Sequence, residues 1–257
     1  MHTWHWRNGD ELPYLTCSLL EFWHHGFFTQ QFWPCSPAEL TKVLQPEASV
    51  YRLKQVHGNT VFTPSEIDSL LSTIADDLVS ADGLVSEQPL QAVWVASADC
   101  TPVLIGDVKT GQVAAIHAGW RGTAKKIVPE AIARLQSQGS QLVDLRLALG
   151  PAIAGEVYQV SVEVAAEVGA SIISHDDQKY IIEALQNFPN SPLLADPNPG
   201  KIRLDVRRVN CLQLENLGMS AEQIAIAPYC TFQTPENFFS YRREKEKKVQ
   251  WSGIISR

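Results

Sequence analysis

Cys100 in SADCTPVLIGD (97–107) and His117 in AAIHAGWRG (114–122) stand 17 positions apart within apolar runs, and His57 lies upstream in KQVHGNTV (54–61). A thiolate and two imidazoles suit zinc, and three protein ligands leave a coordination position open for water or substrate, as in catalytic rather than structural zinc sites. Copper is the alternative metal, because Cu²⁺ outbinds Zn²⁺ at most nitrogen and sulfur donors. The same residues also fit metal-free chemistry, with Cys100 as thiolate nucleophile and His117 or His57 as its base. A structural duty is the third reading, with a buried thiol packed as a small hydrophobe and histidines satisfied in the core.

Several neighbours carry a similar choice. Arg121 presents a bidentate fork for phosphate or carboxylate at the mouth of a predicted helix, or else forms a surface salt bridge. Asp99, next to Cys100, could hold a ligand imidazole or transfer a proton, or it could cap a turn. Asp82 in SADGLVS has the same two readings, with Gly83 favouring the turn. Arg242 and Arg243 could reach the pocket from a C-terminal hairpin, Tyr158 and Tyr241 could stack on a base, and Trp120 reads as packing.

These residues need elements to position them. Short β-branched and apolar stretches predict strands at 49–57, 91–97, 102–107, 112–118, 142–150 and 248–256. A hairpin turning near Lys109–Gly111 sets Cys100 just before one arm and His117 near the end of the other. Helical periodicity predicts helices at 123–139, 161–170 and 205–218, with Thr123, Ser161 and Asp205 as N-caps and Gly139, Gly169 and Gly218 as stops. Prolines at 189, 192, 197 and 199 make 187–203 a long loop or flap. Mixed strands and helices point to a layered α/β or α+β protein, and no linker or repeat divides the chain, so a single domain spanning 1–257 is expected.

The composition of the 257 residues, 45% hydrophobic and 19% charged, is that of a soluble globular protein. A net charge of −7 argues against nucleic acid as a partner. No stretch has the apolar length of a membrane span or signal peptide. Five scattered cysteines without a C-x-x-C pair suit reduced thiols, so cytoplasmic residence is expected. The seven histidines contain no H-x-H pair, which excludes the histidine-rich architecture of a blue multicopper oxidase. His2 and His5 lie near a terminus expected to fray.

The blocks QVHG, SADC-P-VL--D, HAGWRGT, LGPAI----Y-V (149–160) and CT----------FSYRR (230–243) resemble, in order, the signature of the YfiH-like family. That family is described as multicopper polyphenol oxidase or laccase-domain proteins and as purine nucleoside phosphorylases with adenosine deaminase activity. The resemblance implies an α-β-β-α sandwich with mixed sheets in the α+β class, and a metal held by His57, Cys100 and His117. It also implies small-molecule substrates, namely a purine nucleoside and phosphate, for phosphorolysis of adenosine, inosine or methylthioadenosine and deamination of adenosine. Copper-dependent phenol oxidation, hydrolysis by a Cys-His dyad and cell-wall precursor editing are the alternative activities. The segment 25–40 departs from the family pattern, with Gln30 where arginine is usual.

Overall fold

The computed structural model describes residues 2–73 and 77–257. Two six-stranded mixed sheets stack face to face. The first runs in the order β1 (Trp4–Gly9), β2 (Leu12–Cys17), β3 (His25–Phe28), β15 (Gln250–Ile255), β7 (Gln91–Ser97) and β4 (Ser49–Arg52). All its pairings are antiparallel except that of β4 with β7. The second runs β14 (Ile224–Ile226), β10 (Leu145–Leu149), β8 (Thr101–Asp107), β9 (Val113–Ala118), β6 (Gly83–Val85) and β5 (Val61–Phe62), with only the pairings at its two ends parallel. A small third sheet orders β11 (Gln159–Ser161), β13 (Lys201–Leu204) and β12 (Leu193–Ala195).

Leu15, Phe27, Val93, Val95 and Ile254 of the first sheet meet Leu84, Leu104, Val113 and Ala115 of the second between the layers. On the outer face of the first sheet, α1 (Pro37–Leu44) buries Leu40 and Leu44 against Phe28, Trp94 and Ile255. The outer face of the second is covered by α4 (Ile127–Ser137) and α7 (Val206–Asn216), which pack Ile127, Ile132, Leu135 and Leu214 on Val103, Ile105 and Ile116. The layers are helix, sheet, sheet, helix, as the sequence resemblance implies. The central strands β7, β8 and β9 are buried on both faces, which explains their unbroken apolar runs. The pair α5 (Val162–Gly169) and α6 (Gln178–Gln186) closes over the third sheet. Three further helices, α2 (Pro64–Leu71) and the shorter α3 (Trp120–Ala124) and α8 (Tyr241–Glu244), lie in the connections. Among the described residues no helix is long and apolar enough to cross a membrane.

Four local expectations need correction. The predicted helix over 123–139 is two helices, α3 and α4, separated at Lys126 with φ 60°. A continuous helix would place Pro129 in its interior, whereas the break puts it in the first turn of α4, where the missing N–H is harmless. Thr123 is therefore not an N-cap; it is buried near the end of α3. The predicted strand over 49–57 ends at Arg52, and His57 adopts a left-handed backbone with φ 59°. The supposed flap at 187–203 contains β12, which lies between Pro192 and Pro197, and the start of β13, which follows Pro199. His5 is not in a frayed end but pairs with Thr16 in the β1–β2 ladder.

The hairpin joining β8 and β9 turns where expected: Asp107 Oδ1 accepts from the amides of Lys109 and Thr110, and Gly111 takes φ 78°. The N-caps Ser161 and Asp205 accept from the amides of Val164 and Arg208.

His25 in β3 is buried, with Nδ1 bonded to the Trp23 carbonyl and Nε2 accepting from the Cys17 amide. Burial, with a smaller contribution from nearby His24 and Arg7, pushes its imidazole down to about 4. The unfolded chain takes up this proton near pH 6.5 and the folded chain near 4, so stability is lost as pH falls across that window. His25 contributes a loss on the order of 3 kcal/mol. Thermal unfolding at pH 4.5 and 7 should show a smaller acid-induced drop in His25→Gln than in the wild type, and equal drops would assign the effect elsewhere.

Candidate functional site

The register of the central hairpin explains why two residues 17 positions apart become neighbours. Thr101 pairs with Ala118 and Pro102 with His117 across β8 and β9, so Cys100, one residue before β8, sits beside the end of β9. His57 arrives from the loop after β4. The Cys100 Sγ and ring nitrogens of His57 and His117 lie within 4.8 Å of one another, and the two imidazoles meet edge to face with centroids 4.8 Å apart. His57 is exposed, Cys100 half-buried and His117 buried, so the cluster opens to solvent on the His57 side.

Asp82 organises both histidines. It is fully buried, and its carboxylate accepts from the amides of Val56 (3.2 Å), His57 (2.9 Å) and Gly58 (2.7 Å) and from His117 Nδ1 (2.8 Å). These bonds draw the 56–58 backbone away from the β4 ladder. A carboxylate only accepts, so Nδ1 of His117 carries the proton and Nε2 is left free as a ligand atom. Burial pushes the Asp82 carboxyl up, but the hydrogen bonds from His117 and the loop amides outweigh it and hold the group below its ordinary value.

Cys100 and His117 form a charge-coupled pair. Burial pushes the Cys100 thiol up, yet the His117 charge and hydrogen bonds from His117 and His57 override this and bring it to about 6. Burial pushes His117 down, but the Cys100 thiolate and the Asp82 carboxylate raise it to about 9. Each group thus favours the charged form of the other, and a metal ion bound by both would displace the proton between them.

Gly119 permits this closeness. A Cβ there would lie 2.8 Å from Cys100 Sγ and 3.4 Å from His57 Cδ2. Gly119→Ala is expected to lower zinc affinity at least tenfold by spreading the ligand set with little change in thermal stability; competition with a zinc chelator and a melting curve check the two halves.

Of Asp99 and Asp82, each read from the sequence as able to hold an imidazole, it is Asp82 that bonds His117. The Asp99 oxygens go to the Thr231 hydroxyl (2.7 Å) and the Arg242 amide (2.7 Å). Arg121 is exposed at the start of α3, its guanidinium stacked 4.3 Å over the Trp120 ring. Arg242 stacks 4.8 Å over Tyr158 and donates to the Gln159 carbonyl. Trp120 and Tyr158 line a cavity of about 30 Å³ together with Asp99, Cys100, Gly119 and Ile153, room for a water beside the thiolate. Trp120 packs against the core beneath α5 and α6, as read from the sequence, and is also a wall of the cavity with one guanidinium on it. Arg243 turns away, donating to the carbonyls of Thr231, Phe232 and Phe238. Tyr241 is half exposed. Gln30, in the atypical segment, donates to the Pro235 carbonyl.

The profile of the family described as multi-copper polyphenol oxidoreductase laccase matches residues 37–256. A purine nucleoside phosphorylase of Synechocystis sp. is 53% identical over 260 residues, covering 98% of this chain and 97% of that protein. A purine nucleoside phosphorylase of Mycobacterium tuberculosis is 35% identical over 200 residues, covering 77% of this chain and 69% of that protein. Among solved structures, YlmD from Geobacillus stearothermophilus superposes with a TM-score of 0.78 at 23% identity, over 95% of this chain and 96% of that one. YfiH of Bacillus licheniformis gives 0.74 at 23% identity over the same shares. With the sandwich fold and matches along nearly the whole chain, the protein belongs to the multi-copper polyphenol oxidoreductase laccase family, that of the YfiH-like proteins.

Proposed function

We propose that the chain is a metal-dependent purine nucleoside phosphorylase whose reaction centre is His57, Cys100 and His117. The observation that carries this reading is the convergence of those three donor atoms within 4.8 Å. The names of the two phosphorylase relatives supply the substrate class. The donor set fits zinc: a thiol already held near 6, an imidazole whose tautomer is set by Asp82, and a second imidazole on the open side. Copper would use the same atoms. A metal ion held by these three residues would supply Lewis acidity and activate water at the open side of the cluster.

The chain's own residues account for the rest. Arg121 and Arg242, each on an aromatic wall of the cavity, offer guanidiniums to a phosphate dianion. A phosphate oxygen forms a bond to the ribose anomeric carbon as the glycosidic bond to the purine nitrogen breaks, and the phosphate proton passes to the departing base. Tyr158 and Trp120 wall the cavity side of this exchange and hold the two guanidiniums against it. Adenosine deamination at the same centre replaces the C6 amino group by water oxygen and releases ammonia. Residues of both six-stranded sheets and the C-terminal segment meet at the site, which supports one catalytic domain over 1–257. The free cysteines suit a cytoplasmic setting.

The test is elemental analysis of protein purified without added metal, then chromatography of adenosine and inosine incubated with it, with and without phosphate. About one zinc per chain with phosphate-dependent release of base is the expected result. Inosine from adenosine would add the deaminase activity, and oxygen consumption with phenols would indicate the copper oxidase instead. A second reading draws on the thiolate–imidazolium pair, with Cys100 as nucleophile and His117 as base. Fast alkylation by iodoacetamide whether or not zinc is present, with loss of a hydrolase activity, would favour it; protection by zinc favours ligation.

A further inference from the structure

Asp99 has an uncommon backbone for a side-chain-bearing residue, with φ 91°. Such a conformation persists only where the surroundings over-determine it. Three segments do so here. The Asp99 carbonyl accepts from the Ile153 amide at 2.9 Å, Oδ1 accepts from the Thr231 hydroxyl at 2.7 Å, and Oδ2 accepts from the Arg242 amide at 2.7 Å. The last bond satisfies an amide in the first turn of α8, beside the Ser240 hydroxyl that accepts from Arg243. The next residue in the chain is Cys100, and Ile153 shares the Cys100 cavity. On the far side of the bond, Arg242 is fixed over Tyr158 and to the Gln159 carbonyl. Both Asp99 oxygens are thus engaged in holding protein groups.

We propose that Asp99 is a positioning residue that locks the strained turn presenting Cys100 to the segment carrying Arg242, so that the metal ligand and the anion-holding guanidinium keep a fixed separation. The role of Arg242 in this proposal rests on the phosphorolysis reading above. A proton-transfer role is the competing assignment for Asp99. The two differ in what they spare: a lock sets where Arg242 stands and governs phosphate binding, whereas a proton carrier governs turnover and its pH profile.

The backbone and carboxylate parts of the lock separate by substitution. Asp99→Gly accepts φ 91° without strain but removes both side-chain bonds. It is expected to keep about one zinc per chain and to bind inorganic phosphate at least about tenfold more weakly by calorimetry on the zinc-loaded protein. Asp99→Ala adds backbone strain and should lower zinc affinity as well. Asp99→Asn tolerates the left-handed region and keeps one acceptor, so its phosphate affinity should fall between those of the wild type and the glycine variant; it also serves if the glycine variant fails to fold. The alkaline and acid limbs of the kcat/KM profile should stay in place in all folded variants. Wild-type phosphate affinity in both Asp99→Gly and Asp99→Asn overturns the lock. Loss of a pH limb with phosphate affinity intact also overturns it, in favour of proton transfer. Absence of phosphate binding in the wild type overturns the phosphorolysis reading, and the proposal with it, which separates that failure from a failure of Asp99 alone.

Discussion

Cys100→Ser should leave a folded protein that copurifies with little or no zinc and has lost phosphorolysis by more than about a hundredfold. Loss of a group that hydrogen-bonds a metal ligand costs metal sites roughly 10–100-fold, and removal of a ligand itself should exceed that. A serine hydroxyl stays protonated where the Cys100 thiol, held near 6 by His117 and His57, is ready to ligate. The half-buried position of Cys100 at the mouth of the central hairpin makes the exchange sterically mild. Zinc analysis, a melting curve and base release measured together test the expectation. A metal-loaded and active variant would remove the cluster from the reaction, and a metal-free but active wild type would point to the thiolate nucleophile.

Asp82→Ala should be the most damaging single change outside the ligand set. It strips an acceptor from three main-chain amides and one imidazole around a fully buried position. Breaking a buried charged pair by removing one partner costs about 3–5 kcal/mol. The histidines would also lose their orientation, lowering zinc affinity by a further 10–100-fold. Asp82→Asn keeps the volume but offers only one accepting oxygen to four donors, so an intermediate loss is expected. Denaturant unfolding and zinc competition on the two variants give the order wild type, asparagine, alanine. An asparagine variant as stable as the wild type, with only alanine destabilised, would show that packing, and not the carboxylate's hydrogen bonds, matters at this position.

The parts of the fold legible in the sequence are those where burial leaves one reading. β7, β8 and β9 are enclosed on both faces, and their apolar runs with a turn at Asp107–Gly111 marked the hairpin and set Cys100 beside His117. The edge strand β1 is largely exposed, so WHWRNG carries no matching apolar signal. Periodicity carried the predicted helix straight across Lys126 because Ile127, Ala131 and Leu135 lie on one face either way; Pro129 was the signal for the break. Asp82 is 35 residues from His117, and SADG reads locally as a turn, so its bond to the imidazole had no local trace. The Asp99 contacts span 132 and 143 residues and are equally invisible from one stretch of chain. Gly119 could have been suspected, because a glycine beside proposed ligands often marks close approach.

The place of β15 has a consequence for biosynthesis. Residues 250–255 form an inner strand of the first sheet, between β3 and β7. Chains emerge N-terminus first, so β1, β2, β3, β4 and β7 are all made before the strand that joins them. Until Gln250–Ile255 arrive, β3 and β7 each present an open edge, and Phe27, Val93 and Val95 lack their neighbour Ile254. From the completion of β7 at Ser97 until Gln250 is made, the nascent protein therefore carries two sticky half-sheets. Ribosomes stalling late in the message, or stop codons before residue 250, would yield aggregating fragments, with the chaperones of the cell as the only protection for the unfinished sheet.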